Sequence, residues 1–208
     1  MSAPPIVWYF DFVSPFSYLQ FAAYPELVRR PEVTLKPVLF AGLLAHWGHK
    51  GPAELPTKRR HTYRYCVWDA ARRGVPLRFP PAHPFNPLHA LRLAVALGAT
   101  YETVRTIYEF IWKEGRSPAD EWRELCDRLG VGDADSPDAA AKAALRANVD
   151  EAIAAGVFGV PTFVAGGELF WGVDATPMLL EWLADPALFA SAAMRRVDSL
   201  AVAAERKA

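Results

Sequence analysis

Residues 6–19 read Ile-Val-Trp-Tyr-Phe-Asp-Phe-Val-Ser-Pro-Phe-Ser-Tyr-Leu, and no other passage constrains the fold as much. A run of β-branched and aromatic residues, which suit a pleated and half-buried surface, stops at Ser14-Pro15, and a helical pattern begins at once. Ser14 fits an N-cap, because its hydroxyl can accept from an orphaned N–H of the first turn. Pro15 fits the first helical position, where a missing N–H costs nothing. The reading is a first strand over 6–12, a helix over 15–30 and a second strand over 33–40. A strand–helix–strand opening calls for a parallel pair joined by a right-handed crossover.

Beyond residue 40 the period changes. Residues 41–56 read as loop, with Gly42, Gly48, Gly51, Pro52 and Pro56. A helix over 57–73, basic at its start, is followed by a proline-rich loop over 74–87. Asn86-Pro87 caps a helix that Gly98 ends, and Thr100 opens another that Gly115 ends. Ser117-Pro118 starts a third, with Asp120 in the capping-box position, and Gly130 ends it. Ser136-Pro137-Asp138 starts a fourth that runs to about residue 155. Strand character then returns over 161–165 and 169–171, on either side of Gly166-Gly167, a two-residue hairpin turn. Thr176-Pro177 caps a helix to residue 183, and an amphipathic segment spans 187–204. The expected fold is therefore α/β: a thioredoxin-like domain built from 1–40 and 155–208, with an all-helical insertion domain over 41–154.

The composition narrows the partners. Lys+Arg and Asp+Glu both number 23 in 208 residues, so no net field draws the chain to nucleic acid or to an anionic membrane. An acidic ligand has to be held by local charges. No apolar run approaches the roughly 20 residues of a spanning helix. Met-Ser-Ala-Pro-Pro carries no positive n-region, and residues 6–10 are too short for a signal core. The expectation is a cytoplasmic protein without nucleic-acid or membrane partners. Cys66 and Cys126 fall in separate predicted helices without a local motif, which reads as two buried reduced thiols.

A redox-active thioredoxin-like protein carries Cys-x-x-Cys at the strand–helix junction, where the helix N-terminus favours a thiolate. Here that slot reads Ser14-Pro15-Phe16-Ser17, which excludes dithiol chemistry at this place. A serine hydroxyl there either caps the helix or donates to a thiolate that a ligand brings. Ser17 reads as packing inside the helix. Lys58, Arg59 and Arg60 form a basic cluster, either a solvated helix face or a carboxylate site. Phe16, Trp47, Phe85 and Trp171 are candidates to wall a flat aromatic substrate, or are plain core. His46 and His49 lack a third ligand, so no metal is expected.

Three stretches carry a family likeness. The first is Tyr-Phe-Asp-Phe-Val-Ser-Pro-Phe-Ser-Tyr-Leu at 9–19. The second is Pro-Thr-Lys-Arg-Arg at 56–60, leading to Arg-Gly-Val-Pro at 73–76 and Pro-Phe-Asn-Pro-Leu at 84–88. The third is Val-Phe-Gly-Val-Pro-Thr-Phe at 157–163, with Phe-Trp-Gly-Val-Asp at 170–174. In this order the chain resembles the 2-hydroxychromene-2-carboxylate isomerases, members of the DsbA-like thioredoxin superfamily related to kappa-class glutathione transferases. The resemblance implies glutathione as cofactor, Ser14 on its sulfur, and a cis-proline at Val160-Pro161. A cis bond there leaves the Val160 backbone free to pair with an extended ligand. It also implies Asp174 on the γ-glutamyl amine, Lys58 on a carboxylate, and a homodimer.

The activity implied is glutathione-dependent cis–trans isomerisation of 2-hydroxychromene-2-carboxylate, or a similar aromatic keto or hemiketal acid, in aromatic hydrocarbon catabolism. A kappa-like transferase and a non-catalytic thioredoxin-like binding module are the alternatives. The chain departs from the family pattern at His49-Lys50-Gly51-Pro52, where an asparagine is usual, at Trp68-Asp69 for Arg-Trp, and at Val173 and Ala175 for Asn and Arg. The thiol-binding elements are intact.

Overall fold

The alternation along the first strand decides the layering. In β1 (Ile6–Phe10), Ile6, Trp8 and Phe10 enter one hydrophobic cluster, while Val7 and Tyr9 enter a second on the opposite face. Side chains of a strand alternate across the sheet, so both faces of β1 are covered. In the computed structural model, which describes residues 5–132 and 139–204, β1 lies inside a four-stranded sheet of order β2-β1-β3-β4. β2 (Val33–Pro37) pairs parallel to it, from Ile6 opposite Val33 to Phe10 opposite Pro37. β3 (Thr162–Ala165) pairs antiparallel on its other side, and β4 (Glu168–Trp171) antiparallel to β3. Gly166 and Gly167 connect these two at φ +58° and +88°, the pair of positive angles that a tight hairpin turn of matching twist demands. A Cβ on Gly166 would also come within 2.6 Å of the Trp182 ring.

Several helix boundaries differ from the sequence expectation, each for a local reason. The helix predicted over 15–30 is two helices, α1 (Pro15–Ala23) and α2 (Pro25–Val28). Pro25 offers no N–H to the preceding turn and disfavours the α conformation at Tyr24, which sits at φ −129°. β1 stops at Phe10 because the Asp11 carboxylate accepts from the Val13 N–H at 3.0 Å and turns the chain. The second strand stops at Pro37, and part of the expected loop is a helix, α3 (Phe40–Trp47). Its opening Phe40 N–H donates to Asp11 Oδ2 at 2.8 Å, 29 residues away, so no local capping residue announces it.

The remaining helices between the strands are α4 (Pro56–Arg73), α5 (Leu88–Ala96), α6 (Tyr101–Tyr108), α7 (Trp122–Arg128) and α8 (Ala139–Ala154). A π-helical turn, Glu109–Lys113, continues α6. α7 begins later than Ser117-Pro118 suggests. Ser117 Oγ accepts from the Asp120 N–H at 3.2 Å, but the carboxylate that answers the Ser117 N–H is Glu121, at 3.1 Å, and not Asp120. The expected cap at Ser136-Pro137-Asp138 lies outside the described residues. After β4 come α9 (Thr176–Ala184), a 3-10 turn (Pro186–Ala190) and α10 (Ala192–Val197). The expected single amphipathic segment is thus divided at Ser191, which is extended and caps α10 with a 3.3 Å bond from the Met194 N–H.

The larger core is aromatic. Trp8 stacks on Phe10 with ring centroids 4.5 Å apart, and Tyr108 meets the Phe12 and Phe21 rings edge-on or tilted, at 4.9 and 5.3 Å. Cys66 and Cys126 are both buried, and burial pushes the Cys66 thiol up to about 12. Among the described residues no helix is long and apolar enough to cross a membrane.

Candidate functional site

Strand direction gathers the candidate residues. Tyr9, near the end of β1, lies opposite Thr162, the first residue of β3, and Thr162 lies opposite Trp171, the last residue of β4. The segments carrying Ser14, Val160-Pro161 and Trp171–Asp174 therefore all leave the sheet at one end.

Ser14 is the N-cap of α1 and is 8% exposed. Its Oγ accepts from the Ser17 N–H at 3.2 Å. With the oxygen so engaged, the hydroxyl proton has no acceptor among the described residues and is available to a ligand at the positive end of the helix dipole. Ser17 itself is fully buried.

The turn before Ser14 is fastened carbonyl by carbonyl. The Asp11 carbonyl accepts from the Ser14 N–H at 3.1 Å and, at 3.4 Å, from the Tyr108 hydroxyl. The Phe12 carbonyl accepts from Trp112 Nε1 at 2.8 Å, and His83 Nε2 lies 2.7 Å from the Val13 carbonyl. Tyr108 and Trp112 reach neighbouring carbonyls from the junction of α6 with its π-helical turn, a widening often found at functional sites. The Asp11 carboxylate is fully buried. Its bonds from the Val13 and Phe40 N–H groups favour the charged form, but burial outweighs them and pushes the carboxyl up to about 7.

Val160-Pro161 is cis, in agreement with the sequence expectation. Neither the N–H nor the C=O of Val160 has a backbone partner among the described residues, while the Pro161 carbonyl accepts from the Gly172 N–H at 2.9 Å. Trp47 donates its indole N–H to the Val157 carbonyl at 3.0 Å and so holds the approach to this bond. Trp171 is 53% exposed, 5.1 Å from the Phe158 ring, and its indole edge covers Gly159 so closely that a Cβ there would come within 2.7 Å. Gly172 has φ +91°, and the exposed Asp174 carboxylate occupies the space a side chain at Gly172 would fill. The buried Gln20 locks this loop to α1. Its Nε2 donates to the Gly172 carbonyl at 3.0 Å and to Thr176 Oγ1 at 2.8 Å, and its Oε1 accepts from Trp8 Nε1 at 2.7 Å.

The other candidates are more scattered. Phe16 is half-buried with Tyr65 of α4 6.0 Å away. Phe85 joins the His83 and Trp112 rings, at 6.1 and 6.4 Å, behind the Val13 carbonyl. Lys58 stands exposed on the first turn of α4 and makes no ion pair among the described residues. Asn86 Oδ1 accepts from the Leu88 N–H at 3.0 Å, as a cap. A surface hollow of about 330 Å³, lined by Tyr63, Arg64, Val67, Trp68 and Phe79, opens on α4 and not at Ser14. The Ser14 hydroxyl, the Val160 backbone unpaired among the described residues and the exposed Asp174 carboxylate are at the sheet end instead. Sequence reasoning missed Gln20, His83 and Trp112. Only Gln20 left a trace, as an amide inside the apolar run Tyr18-Leu19-Gln20-Phe21.

Residues 5–184 match the family model described as a DsbA-like thioredoxin domain. A 2-hydroxychromene-2-carboxylate isomerase from Sphingobium xenophagum is 31% identical, over 86% of this chain and 98% of that protein. The protein named glutathione s-transferase kappa 2 from Caenorhabditis elegans is 27% identical, over 87% of this chain and 92% of its own length. Among solved structures, a 2-hydroxychromene-2-carboxylate isomerase superposes with a TM-score of 0.73 at 23% identity, covering 94% of this chain and 99% of that one.

Proposed function

The chain belongs to the DsbA-like thioredoxin family and, within it, to the 2-hydroxychromene-2-carboxylate isomerases, and from that premise we propose that it is a glutathione-dependent isomerase of an aromatic keto or hemiketal carboxylate, in the manner of 2-hydroxychromene-2-carboxylate. The observation that carries the reading is the Ser14 hydroxyl, whose oxygen is engaged by the helix and whose proton is not.

The residues present fit a tripeptide thiol. Val160 offers a backbone N–H and C=O that are unpaired among the described residues, which suits strand-like pairing with an extended peptide. Asp174 offers an exposed carboxylate for an amine, held in place through Gly172 and Gln20. Lys58 offers an exposed cation for a carboxylate. Bound glutathione would supply a reusable thiolate nucleophile for the conjugated carbon of the ring-opened substrate, so that the former double bond can rotate before the thiolate is expelled. Ser14 would hydrogen-bond that sulfur, keeping its own proton and so favouring the thiolate, and the α1 N-terminus adds a favourable field. Phe16, Trp47, Phe85 and Trp171 supply aromatic surface for a flat substrate. A cytoplasmic homodimer serving aromatic catabolism is part of the same reading.

A kappa-like transferase, in which the thioether leaves as product, is the second reading, favoured by the relative from Caenorhabditis elegans. Incubation with 2-hydroxychromene-2-carboxylate and substoichiometric glutathione separates the two. The isomerase reading predicts many turnovers to the trans product, none without glutathione, and full recovery of the thiol. Thioether accumulating in proportion to glutathione consumed would move the assignment to the transferase. Turnover that does not need glutathione would end both.

A further inference from the structure

The peptide unit between Val13 and Ser14 is held at both ends. Its N–H, that of Ser14, donates to the Asp11 carbonyl at 3.1 Å, and its C=O, that of Val13, faces His83 Nε2 at 2.7 Å. A peptide unit is planar, so fixing both ends fixes the plane from which Ser14 departs. The Ser14 carbonyl, which accepts from the Tyr18 N–H at 3.2 Å, then holds the rotation about Cα and with it the direction of the side chain. A carbonyl cannot donate, so the His83 contact is a hydrogen bond only if Nε2 carries a proton. Which nitrogen of an imidazole is protonated is set by the partner of the other one. Here that partner is Tyr63 of α4, whose hydroxyl lies 2.5 Å from His83 Nδ1 and 2.8 Å from the His83 carbonyl.

We propose that Tyr63 and His83 are a positioning pair for Ser14, in which the Tyr63 hydroxyl fixes the His83 tautomer that donates to the Val13 carbonyl. A phenol both donates and accepts, and this serves both protonation states of the ring. With neutral His83, Tyr63 shares its one proton between Nδ1 and the His83 carbonyl and so leaves the ring proton on Nε2. With charged His83, Tyr63 accepts from Nδ1–H and turns its own proton to the His83 carbonyl. Either way Nε2–H stays on Val13. The other neighbours of the imidazole are the rings of Phe79, Phe85 and Trp112, at 5.8, 6.1 and 5.3 Å. These carry no group that titrates, and the titratable neighbours acting on Tyr63 are Arg59, which lowers it, and the buried Cys66, which raises it. Among the described residues Tyr63 is therefore the group that can donate to Nδ1 and so support the Nε2–H that the Val13 carbonyl requires. Burial lowers the imidazole and raises the phenol, which makes the neutral arrangement the working one near neutral pH.

The consequence for turnover rests on the glutathione reading above, but the tautomer does not, and the test separates them. Long-range proton–nitrogen NMR on histidine-labelled protein, with the His83 signals assigned by their loss in His83→Gln, should show Nε2 protonated and Nδ1 bare at neutral pH. Tyr63→Phe should give a mixture of tautomers. An Nδ1-protonated ring in the native protein, or an unchanged tautomer in Tyr63→Phe, would overturn the pair whatever glutathione does.

In the glutathione assay, His83→Leu should lower kcat by about tenfold to a hundredfold, the scale of a small misplacement of a reacting group. His83→Gln, which keeps an N–H for Val13, should recover most of that loss. Equal losses in the two variants, with both folded by circular dichroism, would refute positioning through this donor. Absence of any turnover in the native protein would instead count against the glutathione reading, with the NMR result standing by itself.

Discussion

Replacing Ser14 by alanine lowers glutathione-dependent turnover by about 10²–10³-fold, the usual loss when one preorganised donor to a developing or held charge is removed. The argument is geometric. Ser14 Oγ already accepts from Ser17 N–H, so the proton it offers is a donor with one direction left, and the cap fixes the rotamer. The same substitution removes the cap, which costs about 1 kcal/mol of stability. That is too little to unfold the chain, so activity and stability part company. Ser17→Ala is the matching control. Ser17 is fully buried, and the group it gives to Ser14 is its backbone N–H, which alanine retains. Steady-state kinetics and urea unfolding of the two variants side by side check the prediction. Comparable losses of turnover in both would mean that α1 packing, and not the Ser14 hydroxyl, is what the activity needs.

The second large effect is on stability against pH, and it comes from Asp11. Its carboxyl is raised from 3.8 to about 7 in the folded chain, chiefly by burial. A raised carboxyl means that the folded state binds the proton more tightly than the unfolded chain does. The associated stability is fully present below pH 4 and is lost as pH climbs from about 4 through about 7. Roughly three pH units at 1.36 kcal/mol each give a loss of about 4 kcal/mol over that window.

Asp11→Asn has no proton to lose. It does keep only one acceptor where the carboxyl oxygens meet two N–H groups, those of Val13 and Phe40. It should therefore begin about 1–3 kcal/mol less stable at the acid end. The gap to the native protein should then narrow or reverse toward pH 8. Urea unfolding of both proteins at a series of pH values reads that difference directly, with the other titrating groups cancelling. A gap that stays constant across the series would show that Asp11 is ionised throughout and that its N–H donors outweigh its burial.

What could be read from the sequence was whatever the chain decides locally. The helix that starts at Ser14-Pro15, the glycine pair of the hairpin and the glycines closing α4, α5 and α7 all have their causes within a few residues, and they fall where expected. α3 was hidden because the acceptor for its first N–H is Asp11, across the β1–β2 connection. The break at Tyr24 has its cause in Pro25, inside an apolar pattern that continues on both sides of it.

The candidate site divides along the same line. Ser14 and Val160-Pro161 could be named because their local motifs are distinctive. The groups that aim Ser14 could not: His83 bonds a carbonyl 70 residues earlier and Trp112 one 100 residues earlier. Nothing in the spacing of a histidine or a tryptophan says which distant carbonyl it will meet.

The most direct measurement is a calorimetric titration of glutathione into the native protein and into Ser14→Ala, repeated in buffers of different ionisation enthalpy. Near pH 7.5 a free thiol, with a pKa of about 8.5, is mostly protonated, so binding it as a thiolate releases protons. The account predicts stoichiometric binding with proton release in the native protein, and weaker binding without that release in the variant. Heat that never appears up to millimolar glutathione, or binding whose proton release survives the loss of the Ser14 hydroxyl, would contradict it.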